Sequence, residues 1–303
     1  VSAPIAAIDC GTNTIKLLIG TLPEVAVREV RMVRLGQGVD ATGRLSDAAL
    51  DRAFAALDEY AAILRAHHVP SERVRFCATS ATRDAANADV FAAGVRARLG
   101  VEPEVLSGGE EAALSFAGAV RHLRTPPELP VLVVDIGGGS TELILGSSAP
   151  EAAHSMDIGS VRLHERHLRS DPPTMAEVDA CVADIDAQLD ACPVCPAAAA
   201  TVVGVAGTTI TIAAGVLGLT AYDRDAIDQA RLRVDDVHAM VDRLVSMTVN
   251  ERLALPWMHP GRADVIDAGA LILSRVLRRT RVTELVVSEA DILDGIAWSV
   301  AGR

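Results

Sequence analysis

"VVDIGGGSTELILG", residues 133–146, decides the fold, because the chain carries a near-copy, "AIDCGTNTIKLLIG", at residues 7–20. At an offset of 126 (135 − 9), Asp9 matches Asp135, Gly11 matches Gly137 and Thr14 matches Ser140, with Leu17 on Leu143 and Gly20 on Gly146. Each copy reads as strand, tight turn, strand: the apolar runs IAAI and VLVV precede the turn, and IKLLIG and ELILG follow it. A plain hairpin turn needs about two residues, typically Asn-Gly or Gly-Gly. This turn has more glycine than that, with an aspartate before it and a hydroxyl after it. Residues without Cβ leave backbone N–H groups approachable, which is the chemistry of an anion-binding nest. A hairpin that merely tolerates glycine would explain either copy alone. Repetition of Asp, glycine and Ser or Thr in both copies favours phosphate binding.

Working outward, 303 residues exceed the size at which one hydrophobic core usually keeps growing, so two domains are expected. Half of the residues are hydrophobic, but aromatics are only 3%, so Val, Leu, Ile and Ala must fill the cores. The formal charge of −12 argues against a general nucleic-acid or anionic-membrane binder. It also requires that any polyanionic substrate meet locally concentrated positive charge. Lys16 is the only lysine; the other fixed cations are arginines. No apolar run reaches membrane-spanning length and no basic-then-apolar leader opens the sequence, so a cytoplasmic protein is expected. The cysteines at 10, 77, 181, 192 and 195 have no disulfide-framework spacing, and "CPVC" is a lone pair that reads as loop cysteines.

Strands alternate with helices in both halves, which indicates an α/β architecture. In the first half, Leu50, Phe54, Leu57, Ala61 and Leu64 recur at helical spacing behind Ser46, a helix cap. "RVRFCATSATRDAAN" reads as a buried strand entering a hydroxyl-rich loop, and "GGEEAALSFAGAVRHL" as a helix. The proline-rich "RTPPELP" separates the copies. In the second half, "ATVVGVAGTTITIAAG" gives a strand, a glycine-threonine turn and a helix; "ELVVS" is a last strand and "EADILDGIAWSV" a terminal helix. The histidines, His67, His68, His164 and His167 among them, suit solvated helix positions.

"DCGTNT", "DIGGGSTE" and "GVAGTT" resemble the phosphate loops of the actin, hexokinase and Hsp70-like superfamily. More closely, "ATSATRDAAN", "SGGEEA", "DIGGGSTELILG" and "PGRADVIDAGALIL" together resemble the exopolyphosphatase and guanosine pentaphosphate phosphohydrolase family, in its short, two-domain form. The resemblance implies two related ribonuclease H-like (actin-like ATPase) domains with mixed sheets flanked by helices, and an active site in the interdomain cleft. The expected division is 1–123, completed by the C-terminal helix 291–303, and 124–290. It also implies a homodimer.

Hydrolysing a terminal phosphoanhydride requires a cradle for phosphoryl oxygens, a cation and a positioned water. Gly11, Thr12, Asn13 and Thr14 would face Gly137, Gly138, Gly139 and Ser140 across the cleft. Gly207, Thr208 and Thr209 would form a third cradle at a helix N-terminus, where the dipole favours anions. Asp9 and Asp135 sit at strand ends, where a carboxylate holds Mg²⁺ (or Mn²⁺) or merely caps the turn. Lys16 and Glu142 occupy equivalent positions inside apolar strands. The resemblance puts Glu142 near phosphate and metal, while Lys16 either neutralises phosphate or lies on a solvated strand edge. The family's catalytic glutamate falls on Glu110 or Glu111. Adjacent helical residues point about 100° apart, so one of the two faces the cleft; Glu111 is placed there, with Glu110 as the alternative. Arg83, a candidate phosphate ligand, resembles the family arginine that reaches into the cleft, with Asn87 one turn later. Arg162 and Arg262 also lie in family-like segments. Many family members have Arg-Glu-Gly where this chain has Leu293, Asp294 and Gly295, so a cation is missing there.

The leading expectation is an Mg²⁺-dependent exopolyphosphatase acting on inorganic polyphosphate through a glutamate-activated water. The alternative substrate is guanosine pentaphosphate, disfavoured by the few aromatics available to stack on a base. More distant readings are an ATP-dependent small-molecule kinase and a non-catalytic phosphate-chain sensor.

Overall fold

The computed structural model describes residues 3–302. The chain forms two compact units: one holds the residues up to Gly118 and those from Ile292 onward, the other Ala119–Asp291. The division falls inside the helix Gly108–Arg121, ahead of the proline-rich segment. Among the described residues, no helix is long and apolar enough to cross a membrane.

The first unit is built on strands β1 (Ile5–Cys10), β2 (Thr14–Thr21), β3 (Glu24–Met32), β4 (Val74–Ala78) and β5 (Glu104–Val105), in the order β3-β2-β1-β4-β5. β1, β2 and β3 pair antiparallel, whereas β4 joins β1 parallel and β5 joins β4 parallel. Successive side chains point to opposite faces, and both faces of β1 are buried. Ala6, Ile8 and Cys10 pack with Phe76 against Leu57, Tyr60 and Leu64 of the helix Asp47–Ala66 and Phe91 of the helix Ala88–Leu99. Ile5 and Ala7 pack with Leu18 and Cys77 against Ile292, Leu293, Ile296 and Val300 of the helix Ile292–Ala301. A run apolar at every position is thus what a strand sandwiched between two helical layers requires. Ser46 caps its helix as expected, accepting from the Ala49 N–H at 3.3 Å.

The second unit repeats the plan with β6 (Val131–Ile136), β7 (Thr141–Gly146), β8 (Pro150–Met156), β9 (Thr201–Val205), β10 (Arg231–Arg233) and β11 (Glu284–Val287), ordered β10-β11-β9-β6-β7-β8. The antiparallel β6-β7-β8 meander and the parallel β6-β9 pair reproduce β1-β2-β3 and β1-β4. Even the irregularities repeat: the register slips at Ile19/Gly20 and at Leu145/Gly146, the same offset of 126 residues. A Cβ on Gly20 would lie 2.3 Å from the Glu24 carbonyl oxygen, and one on Gly146 would lie 2.1 Å from that of Ala149, so both bends require glycine. Leu132, Val134, Ile136, Leu143 and Val202 pack against Ile212 of the helix Ala206–Val216 and against Ile272 and Val276 of the helix Ile266–Leu277.

Arg252 is fully buried in this unit. Its Nε donates to the Leu244 carbonyl at 2.8 Å, and its Nη1 donates to the Ala263 carbonyl at 3.1 Å and to Asp267 Oδ2 at 3.0 Å. Asp267 Oδ1 in turn contacts His164 Nδ1 at 3.2 Å, and His167 Nε2 contacts Asp184 Oδ2 at 2.8 Å. His164 and His167 are therefore half-buried and engaged rather than freely solvated; both tie the helix Ser160–His167 to carboxylates of neighbouring helices, which spacing along one helix could not show.

Candidate active site

The turn of the first hairpin closes with the Gly11 N–H donating to the Thr14 carbonyl at 2.9 Å; in the second, the Gly137 N–H donates to that of Ser140 at 3.0 Å. What surrounds the turns aims them. The Gly137 carbonyl accepts from Ser160 N at 3.0 Å, the Gly138 carbonyl from Val161 N and Arg162 N at 2.9 and 3.0 Å, and the Gly139 carbonyl from Arg162 Nε at 2.7 Å. A trans peptide is planar, with C=O and the following N–H pointing opposite ways. Tying down these consecutive carbonyls therefore turns the N–H groups of Gly138, Gly139 and Ser140 away from the helix Ser160–His167. In the first hairpin the Thr12 carbonyl accepts from Gly36 N at 2.9 Å, and that of Asn13 accepts from Val33 N and Arg34 N at 3.0 and 2.9 Å. The N–H groups of Asn13 and Thr14 are aimed by the same rule. None of the glycines in these turns has a positive φ. Close approach instead requires two glycines outside the turns: a Cβ on Gly159 would lie 2.4 Å from the Gly138 oxygen, and one on Gly36 would lie 2.3 Å from Thr12 Cγ2. Gly36 and Gly159 escaped sequence reasoning, although each follows the third strand of its repeat.

Asp9 and Asp135 are the next-to-last residues of β1 and β6 and are both buried. Directly opposite them stand Lys16 on β2 and Glu142 on β7, so each pair shares a sheet face. Lys16 Nζ lies 3.3 Å from Asp9 Oδ2. β2 is an interior strand, so the solvated-edge reading of Lys16 does not hold. Glu142 Oε1 accepts from Ser155 Oγ at 2.6 Å. Among the described residues, no group of three or more His, Cys, Asp or Glu is placed to hold a metal ion. Burial, and after it the Asp9 charge, push the Cys10 thiol well up, so it is not a nucleophile.

Glu110 and Glu111 differ. Glu110 is exposed and closes a capping box: its Oε2 accepts from the Ser107 N–H at 2.9 Å and from Ser107 Oγ at 2.8 Å. These hydrogen bonds from Ser107 hold its carboxyl below the usual range. Glu111 is buried, and its Oε2 accepts from Arg83 Nη1 at 3.1 Å. The same Nη1 donates to the Leu106 carbonyl at 2.9 Å. Arg83 ends the short helix Ser80–Arg83, whose Ser80 Oγ lies 2.8 Å from Thr12 Oγ1. The "ATSAT" loop thus links the first hairpin to the Arg83–Glu111 pair. Asn87 has a different task, bonding through Oδ1 and Nδ2 to the backbone of Leu45.

In the second unit the helix Ala206–Val216 starts from a strained Ala206 at φ 63°. The Arg262 guanidinium lies against Gly207, where a Cβ would come within 2.6 Å of Arg262 Cζ, and its Nη1 donates to Thr211 Oγ1 at 3.3 Å. Burial lowers the pKa of Arg262, opposed by the charges of Glu289, Tyr222 and Asp291. Thr208 is buried against Gly269, where a Cβ would lie 2.7 Å from its Oγ1. Glu289 and Asp291, buried acids just beyond β11, were not singled out from sequence. The logic used for Asp9, a carboxylate at the end of an apolar strand, would have found them.

The Ppx/GppA phosphatase family profile matches residues 18–303. The chain belongs to the Ppx/GppA phosphatase family. It is 48% identical to Exopolyphosphatase 2 of Mycobacterium tuberculosis over 98% of both chains. It is 30% identical to the guanosine-5'-triphosphate,3'-diphosphate pyrophosphatase of Vibrio atlanticus, over 99% of this chain and 60% of that protein. A crystal structure of an exopolyphosphatase-like protein matches with a TM-score of 0.96 at 43% identity, covering 99% of each chain. The crystal structure of an exopolyphosphatase from Cytophaga hutchinsonii matches with a TM-score of 0.89 at 28% identity, covering 99% of this chain and 98% of that one. The fold is accordingly that of the family: two related α/β units with mixed sheets flanked by helices.

The segment that departs from the family pattern has a structural explanation. Leu293 is buried in the core beneath β1, and Asp294 is ion-paired with Arg28 of β3. Gly295 is required by contact: a Cβ there would lie 2.0 Å from the Leu114 carbonyl oxygen. An arginine at position 293 would put its charge in that apolar layer.

Proposed function

We propose that the chain is an exopolyphosphatase that removes the terminal phosphate of inorganic polyphosphate. Membership of a phosphatase family and 48% identity to a protein named exopolyphosphatase support the reaction class. The observation that carries the reading is the set of hairpin carbonyls tied back into the protein, which leaves successive N–H groups to bind phosphoryl oxygens. Lys16, Arg83 and the hydroxyls of Thr12, Thr14 and Ser140 add charge and donors, and Gly207 and Thr208 serve a further phosphate. Glu111 takes a proton from water as the water oxygen bonds to the terminal phosphorus. The bridging P–O bond breaks, and the shortened chain leaves with the bridging oxygen. Arg83 holds the Glu111 carboxylate in place.

Asp135 and Glu142 fit a hard divalent cation: both are buried oxygen donors on one sheet face, in opposed register. Mg²⁺ or Mn²⁺ bound there would neutralise charge building on the phosphoryl oxygens. Asp9, already engaged with Lys16, would orient water or phosphate.

Phosphate release from long polyphosphate, short polyphosphate, guanosine pentaphosphate and ATP, with and without Mg²⁺, tests the reading. The expected result is Mg²⁺-dependent release from polyphosphate. Preferential release from guanosine pentaphosphate would replace it with the activity named for the Vibrio relative. Turnover that required an acceptor other than water would point to a kinase.

A further inference from the structure

The duplicated hairpins are alike in backbone and unlike in one row of side chains. In the second unit, Asp135 stands opposite Glu142, and Glu142 stands opposite Ser155 on β8. In the first unit the corresponding row is Asp9, Lys16 and Val30 on β3. Directly opposed residues of antiparallel strands share a face, so each row is a contiguous line across three strands. The row Asp135–Glu142–Ser155 consists wholly of oxygen ligands and donors, the chemistry of a hard cation. The row Asp9–Lys16–Val30 has its own ammonium 3.3 Å from the carboxylate, and at its end a side chain with nothing to orient. Two carboxylates side by side repel unless a cation lies between them, whereas a carboxylate beside an ammonium attracts.

From this asymmetry we infer that the divalent cation of the proposed reaction belongs to the second row alone, with Ser155 as a positioning residue that orients Glu142. The inference rests on the hydrolase reading above. The Ser155 hydroxyl donates to Glu142 Oε1 at 2.6 Å, which restricts rotation of the carboxylate and directs its other oxygen. Outer-sphere partners of metal ligands commonly act in this way. Lys16 takes the place in the first row that the cation takes in the second, so repeat symmetry does not make a second metal site.

Mn²⁺ binding, followed by the loss of free-ion electron paramagnetic resonance signal, tests this in the full chain. Asp135→Asn should abolish binding, whereas Asp9→Asn should leave it. Ser155→Ala should weaken it by about 10- to 100-fold, and Ser155→Thr, which keeps the hydroxyl, should restore it. In turnover, Ser155→Ala should raise the Mg²⁺ concentration for half-activation while kcat at saturating Mg²⁺ changes little, a split that mere loosening of β8 would not produce. Unchanged Mn²⁺ affinity in Ser155→Ala would overturn the positioning role. Equal loss in Asp9→Asn and Asp135→Asn would overturn the assignment to one row. Failure of the unaltered chain to bind Mn²⁺ would overturn the metal reading itself, and this inference with it.

Discussion

A carboxylate serves as a general base when it is held still and sheltered from bulk water, and the two neighbouring glutamates divide on that ground. Glu110 is committed to the Ser107 cap and lies in solvent; Glu111 is buried and fixed by Arg83. Glu111→Gln keeps the shape and loses the basicity, so kcat should fall by about 10²- to 10⁴-fold while KM stays nearly constant. Glu110→Gln should leave kcat close to that of the unaltered chain and lower helix stability slightly. Steady-state phosphate release with a thermal melt on each variant checks both, and a larger kcat loss in Glu110→Gln would exchange the roles. The choice between the two residues was half legible in the sequence. A serine three residues before Glu110 is the spacing of a capping box, which singles out Glu110 for a structural task. The pairing of Arg83 with Glu111 was not legible, because it depends on a loop and a helix 28 residues apart meeting.

At the scale of elements, the helix Ser160–His167 does more than cover the sheet, since its first turn holds the carbonyls of residues 137 and 138. Gly159→Ala should push the Gly138 carbonyl out of that arrangement, costing about 1–3 kcal/mol of stability and raising KM for polyphosphate. Gly109→Ala, where a Cβ meets nothing within 4 Å, is the matching control. Denaturant midpoints and KM for the two variants provide the comparison, and equal behaviour would refute the role given to close approach. The far end of the same helix carries a titratable contact. Burial alone would lower the pKa of His164, but its hydrogen bond to Asp267 and the charges of Asp267 and Asp264 outweigh this and raise it above 6.5. A raised histidine contributes stability below its ordinary pKa and loses it as pH climbs through the folded value. The urea midpoint of the unaltered chain should therefore fall relative to that of His164→Gln between about pH 6 and about pH 8. A constant difference would show that the contact does not titrate. The hairpin that this helix supports was plain in the sequence, because a repeat with fixed offset reveals itself. The Arg252–Asp267–His164 network was not, since its members are spread over helices far apart in sequence and a fully buried arginine has no local signature.

For the whole molecule, the problem is a chain of charge −12 that is proposed to take up a polyanion. The cations near the hairpins do not reverse that field. Lys16 is offset by Asp9, Arg83 by Glu111, and Arg262 is buried near Glu289 and Asp291. On the proposed reading, the net charge gives no long-range attraction of substrate, and recognition would fall to short-range N–H groups and to a divalent cation carried with the phosphates or held by Asp135 and Glu142. Such an enzyme should respond to salt in the opposite sense from one that steers its substrate. Raising monovalent salt from about 20 to about 200 mM shortens the screening length from about 20 Å to about 7 Å and weakens the repulsion between two like-charged bodies. With free Mg²⁺ held constant, kcat/KM for long polyphosphate should therefore rise or stay level over this range, and the effect should shrink for short chains, which have less charge to repel. A steep fall with salt for long chains would mean that clustered arginines dominate the approach.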